Sequence, residues 1–229
     1  MLTILNGQRP MRLALVAALS AVAAACTTKD ERSDIVLSKL VGPKVNGASC
    51  SLDPGTAETA GLVADLNRTP FVRRGVIVEN RLAPNANPAV GRLNTNDFEA
   101  QTARIRVTFP DPGYAGATIE RTVAVSGVAK AGSSQAVLVE ILPNDVVAAL
   151  NGKALPASGF GTVRVATRLE GNLLDGTTVQ STEYEYVLNV CQGCLVLPPC
   201  AASGDGGTPT TTPTVSCSPG TNDDTRTCQ

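Results

Sequence analysis

Ala103-Arg104-Ile105-Arg106-Val107-Thr108-Phe109 alternates apolar and polar side chains without a break. Period two with one apolar face is the pattern of a half-buried β-strand, and Pro110-Asp111-Pro112-Gly113 stops it, because proline cannot donate to a ladder. Working outward, Thr118 to Ser126 places Ile119, Val123 and Val125 on one face together with Arg121, which predicts an edge position or a bulge. Gln135 to Leu142 is apolar on both faces apart from Glu140, as expected of a strand covered on both sides. Pro143 ends that run. Asn144 or Asp145 then caps a short helix through Leu150, closed by Asn151-Gly152. Thr162 to Leu169 turns Val163 and Val165 inward, and Thr178 to Val190 carries Tyr184, Tyr186, Leu188 and Val190 on one face with Glu183 and Glu185 on the other. Gly171 to Gly176 has the content of a hairpin loop between them.

Upstream, Val72 to Leu82 and Gly61 to Leu66 read as strands separated by Thr69-Pro70, with a short helix over Thr56 to Leu66 as the alternative for the latter. Asp53-Pro54-Gly55 is a turn, and Ile35-Val36-Leu37 reads equally as a first edge strand or a helical turn. Short strands at this spacing with one helix predict an all-β fold, an antiparallel β-sandwich of immunoglobulin-like type, ahead of a barrel.

Composition narrows the function. Formal net charge is −1 with 17% charged residues, so nothing marks a surface for nucleic acid. The chain has no histidine, which removes Ser-His-Asp triads, Cys-His pairs and histidine metal sites. Tryptophan is absent and aromatics are 3%, too few for a stacking carbohydrate site.

The N-terminus carries a processing signal. Arg9 and Arg12 precede the apolar run Leu13 to Ala25, and Ala23-Ala24-Ala25 leads into Cys26. The run is shorter than the roughly 20 residues of a spanning helix. This order resembles the signal of a bacterial lipoprotein, whose peptidase cuts before a cysteine that then carries lipid, although Ala23 stands where leucine is commonest. Simple secretion fits the same small residues, but it leaves seven cysteines, an odd number, in an oxidising compartment. Lipid on Cys26 leaves six. Thr27, in place of an aspartate after the cysteine, implies by that resemblance the outer membrane, with the periplasmic or surface face left open. The expected organisation is a signal over residues 1–25, a tether over 26–48, a sandwich over 49–200, a Thr/Pro/Gly-rich disordered linker over 201–216 and a disulfide-closed tail over 217–229.

Cys50, Cys191, Cys194, Cys200, Cys217 and Cys228 are disulfide candidates, expected as Cys217 with Cys228 and Cys50 with a member of the 191–200 cluster. Cys191-Gln192-Gly193-Cys194 is also a CxxC, the spacing of thiol oxidoreductases, although no helix is expected at it to lower a thiol pKa. Zinc on four thiolates and calcium at Asn222, Asp223 and Asp224 rank below these readings, and no metal or other cofactor is expected.

Val76-Ile77-Val78-Glu79-Asn80-Arg81-Leu82, then Asn96-Asp97-Phe98-Glu99-Ala100 leading into Thr102 to Phe109, a cysteine cluster and a Cys217-Ser218-Pro219-Gly220 tail are similar to uncharacterised predicted lipoproteins of deltaproteobacterial type. The resemblance implies an anchored β-sandwich and lends no catalytic residue. The expected function is a non-enzymatic outer-membrane lipoprotein with a structural or binding role, touching the membrane through its lipid and an envelope or surface protein through loops such as Ala83 to Asn96. The alternative is an envelope thiol-disulfide oxidoreductase using Cys191 and Cys194.

Overall fold

The computed structural model describes residues 34–46, 49–55, 61–110, 118–152, 155, 159–195, 213–217, 221 and 226–228. These residues fall in one compact unit, Glu31–Gln229. Two mainly antiparallel sheets pack face to face, which makes the protein a β-sandwich of the expected class. The smaller sheet runs in the order β1 (Ile35–Val41), β5 (Val72–Asn80), β8 (Ser133–Leu142). The larger runs β4 (Val63–Asp65), β11 (Tyr184–Cys191), β9 (Phe160–Leu173), β6 (Phe98–Thr108), β7 (Thr118–Ala129), with β10 (Thr178–Gln180) also on β9. The β4–β11 pair is parallel, the one departure from antiparallel pairing among the described strands.

The alternation read in the sequence builds the interface. Ala103, Ile105 and Val107 of β6 are fully buried and meet Val163, Val165 and Leu169 of β9, Leu188 of β11, and Val76, Val78, Val139 and Ile141 of the facing sheet in one core. Tyr186 and Leu188 point inward as expected, while Glu183 and Glu185 lie outside and pair with Arg106 and Arg164. Burial pushes the Tyr186 hydroxyl well above its ordinary pKa. Beside it lies Arg74 of β5, the largest fully buried side chain, donating from Nη1 to the Arg73 carbonyl at 2.7 Å.

Several expectations are corrected. Ile35–Val41 is the edge strand of the smaller sheet, the first of the two readings of Ile35-Val36-Leu37, and with Ile35 fully buried the fold begins inside the stretch expected as tether; β2 (Lys44–Asn46) and β3 (Ser49–Ser51) follow as a hairpin. Leu138 of β8 is 43% exposed, so that strand is covered on both sides only in part. Thr178 to Val190 is two strands: Ser181 takes the Leu169 N–H on its Oγ at 2.9 Å, and pairing with β9 slips by one residue across the interruption. Gly171 belongs to β9, and the hairpin loop starts at Leu174. The helix α1 (Asn144–Asn151) has Pro143 at its N-cap with no side-chain cap bond, and Gly152 closes it with φ −73°, outside the left-handed region. Asp145 in its first turn instead pairs with Arg121, which explains a cation on the apolar face of β7, the edge strand. In the region expected as linker, β12 (Pro213–Ser216) pairs with β13 (Arg226–Cys228).

Ion pairs of this kind set the acid sensitivity. The Arg121 hydrogen bond holds Asp145 below the usual carboxylate range, Arg104 does so for Glu120, and Ser38 followed by Arg81 does so for Glu79. Depressed folded pKa values mean that the unfolded chain binds more protons, so this stabilisation is complete at neutral pH and is lost as pH falls below about 4. Glu120 and Asp145 are exposed and Glu79 is half-buried, so solvent screens these pairs and the loss is small. Denaturation midpoints should fall between about pH 5 and pH 3, and less steeply in high salt.

Candidate functional site

The strands leave the sandwich at two ends. At one of them β4 stops at Asp65, β11 stops at Cys191, and the C-terminus of α1 closes over both. Asp65 is fully buried. Its Oδ1 accepts the N–H of Asn67 at 3.1 Å and of Gly193 at 2.8 Å, its Oδ2 accepts the N–H of Leu195 at 3.2 Å, and Arg68 Nε lies 3.5 Å away. A buried carboxylate is costly unless its lone pairs are met by donors, and here backbone amides of two separate loops meet them. Leu66 N–H bonds the Cys191 carbonyl at 2.8 Å, and Gln192 Nε2 donates to the carbonyl and Oδ1 of Asn151. Gly193 has φ +74°, a left-handed position that favours glycine, so the third residue of the CxxC is fixed by the backbone.

Within this frame Cys191 and Cys194 form a disulfide, with Cα atoms 5.8 Å apart. Cys191 is fully buried and Cys194 half-buried. Asp65 and the two sulfurs lie within 4.8 Å of one another, the one such group among the described residues. The sulfurs are bonded to each other and the carboxylate oxygens to N–H groups, so the ligand atoms of this group are already engaged. Among the described residues no helix starts at this loop, so no helix N-terminus is aimed at the sulfurs to favour a thiolate. Asp65 was missed by sequence reasoning because Val63 to Asp65 carries no motif; the parallel pairing with β11 places it there.

Cys50 of β3 bonds Cys217, with Cα atoms 5.6 Å apart, so the expected Cys217–Cys228 and Cys50-to-cluster pairings are replaced by Cys50–Cys217 and Cys191–Cys194. Thr221 makes a bridge to Ala64, which brings the tail onto the edge strand of the larger sheet. Cys26, Cys200, the calcium candidates Asn222, Asp223 and Asp224, and the Cys228 side chain lie outside the described residues. Removing the Cys50–Cys217 bridge should have a limited effect on the core. Loop closure over a separation of 167 residues would give about 5 kcal/mol if both ends were in the core. Because β3 is exposed, Cys50→Ser should lower stability by less than about 2 kcal/mol. It should free the tail to proteolysis, as limited digestion and denaturation would show.

The opposite end carries a loop from Arg81 to Asp97, which contains the Ala83 to Asn96 stretch expected to meet a partner. Asparagines hold it. Asn80, buried, donates from Nδ2 to the carbonyls of Asn96 and Ala129 at 2.8 and 2.9 Å. Asn85 donates to Thr95 Oγ1 at 2.8 Å and accepts the Thr95 N–H at 2.8 Å; Asn96 donates to the Ala83 carbonyl. Asn87 caps the 3-10 turn Pro88–Val90, and reciprocal bonds of 2.9 Å join Asn87 and Arg92. The tip is rigidly made yet apolar outside, with Val90 72% and Leu93 81% exposed. On the outer face of the larger sheet a shallow depression of about 140 Å³ is lined by Arg104, Arg106, Glu120, Ala166, Arg168 and Glu183, where Arg104 pairs with Glu120 and Arg106 with Glu183.

No relative emerges. No family model, curated protein or solved structure matches this chain. The roles of these residues therefore rest on their chemistry.

Proposed function

We propose that the protein is a non-enzymatic lipoprotein of the outer membrane, a disulfide-stapled β-sandwich held at the cell envelope by lipid on Cys26 and serving a structural or binding role through its loops. The observation that carries this reading is the setting of the CxxC: its disulfide lies in a loop held by the buried Asp65 on the Gly193 and Leu195 N–H groups, and among the described residues no helix starts at it to favour a thiolate. A second disulfide joins Cys50 to Cys217, and two such bonds suit an oxidising compartment outside the cytoplasm. The apolar run before Cys26, similar to a lipoprotein signal, and the odd cysteine count support the anchor.

The test has two arms on protein produced with its own signal. Metabolic labelling with palmitate should mark the wild type and not Cys26→Ser, and the variant should leave the membrane fraction; an unlabelled wild type overturns the anchor. Thiol alkylation of the native protein should find Cys191 and Cys194 blocked and resistant to mild reductant. Rapid reduction, followed by reoxidation coupled to a thiol substrate, would favour the oxidoreductase instead.

A further inference from the structure

We propose that the end of the sandwich carrying the 81–97 loop is a second membrane contact: the tip formed by Val90 and Leu93, with Leu174 and Val128 beside its base, seats against the lipid surface to which Cys26 is anchored. The inference rests on the lipid at Cys26 and adds the orientation of the domain.

The first support is where the tether joins the fold. β1 begins at Ile35 opposite Asn80, and the Asp34 carbonyl accepts the Arg81 N–H at 2.7 Å, so the chain enters at the root of the loop. Residues 27–33 alone separate Cys26 from Asp34, a reach of at most about 28 Å. β6 has 11 residues and is about 37 Å long. The tether is thus shorter than the sandwich, and the end where it attaches is the end held at the bilayer; the Asp65 and cysteine end stands away from it.

The second support is the distribution of exposed apolar side chains. Among the large ones that the described residues expose, Val90, Leu93, Val128 and Leu174 belong to this end. They are joined structurally: Phe98 pairs with Ala129 on one side and Leu173 on the other, and the Asp97 carbonyl accepts the Leu174 N–H at 3.2 Å. Arg92 and Lys130 are exposed among them, cations suited to phosphate headgroups, against the exposed acids Asp175 of the neighbouring turn and Glu99 opposite Val128. A rigid apolar tip gains from such contact because the asparagine bonds have already ordered it. Seated in this way, apolar side chains reach about 5–10 Å into the boundary between headgroups and acyl chains.

The chain has no tryptophan, so Leu93→Trp creates a single indole at the tip and Val187→Trp, on the outer sheet face, a single control. The two lipidated proteins are purified and reconstituted into vesicles of phosphatidylethanolamine and phosphatidylglycerol, with and without bromine near the top of the acyl chains. Leu93→Trp should emit to the blue of the detergent-free Cys26→Ser form and be quenched by bromine, and Val187→Trp should do neither. Labelled, anchored protein whose Leu93→Trp stays unquenched overturns the orientation and leaves the anchor standing; equal quenching at both sites does the same. Shielding of the indole in whole envelopes but not in vesicles replaces lipid with a protein partner. Failure of palmitate labelling overturns the anchor and this inference together.

Discussion

Asp65→Ala should lower the stability of the domain by about 2–4 kcal/mol and open the cysteine loop to reductant. The substitution leaves the part-buried N–H groups of Asn67, Gly193 and Leu195 with no acceptor, and strips Arg68 of its counter-charge. Each orphaned donor costs about 1–3 kcal/mol, and the loops must part to let water in. Asn151, bonded to both Leu66 and Gln192, then loses its hold as well, so the end of α1 frays. Asp65→Asn keeps the shape but offers one acceptor and turns an NH₂ group toward N–H donors, so it falls between wild type and alanine. Urea denaturation gives the stability, and alkylation after brief mild reduction gives the exposure of Cys191 and Cys194. A denaturation midpoint unchanged by Asp65→Ala would show that the loop stands without the carboxylate.

The strand pattern was legible because burial acts on period two, and the runs around Ile105, Val137, Val163 and Leu188 each bury one face too completely to be anything else. Arg121 was legible as an anomaly, and β7 is the edge strand that the anomaly predicted. What failed had a different physical origin. Ile35-Val36-Leu37 was ambiguous because three apolar residues fit a strand or a helical turn, and the partner that decides, Val78 with its neighbours on β5, lies about forty residues away. Arg74 and Asp65 are polar residues drawn inside by tertiary placement, which local pattern cannot encode. Disulfide pairing depends on Cα proximity in the finished fold: Cys217 comes to Cys50 at 5.6 Å across a sequence separation of 167, whereas sequence nearness favoured Cys228. In the 81–97 loop the asparagines were visible, but their reciprocal bonding, which turns a long loop into a rigid one, appears only when Asn80, Asn85 and Asn96 are seen together.

Gly171→Ala should cost about 2–3 kcal/mol and loosen the 81–97 loop from its base. Gly171 lies in β9 opposite Ala100 of β6, beside the one-residue bulge between Ala100 and Thr102. A Cβ there would meet the Glu99 carbonyl oxygen well inside contact distance and stand 2.9 Å from its carbon and 3.0 Å from the Ala100 Cα. Backbone cannot swing aside as a side chain does, so β6 and β9 must separate at this point. The strain runs toward the tether end, because the next pairs lead to the buried Phe98 and Leu173 and then to Asp97, whose Oδ1 accepts the Ala131 N–H at 2.9 Å. Amide exchange should therefore rise at Leu174 and Ala131 and stay unchanged at Gly193, at the other end. Gly176→Ala is the comparison: φ is +86° and nothing lies within 4 Å of its Cβ, so it carries only the left-handed penalty of about 1–2 kcal/mol. A loss from Gly171→Ala no larger than that from Gly176→Ala, with no exchange difference at Leu174, would show that β6 and β9 accommodate the added Cβ without separating.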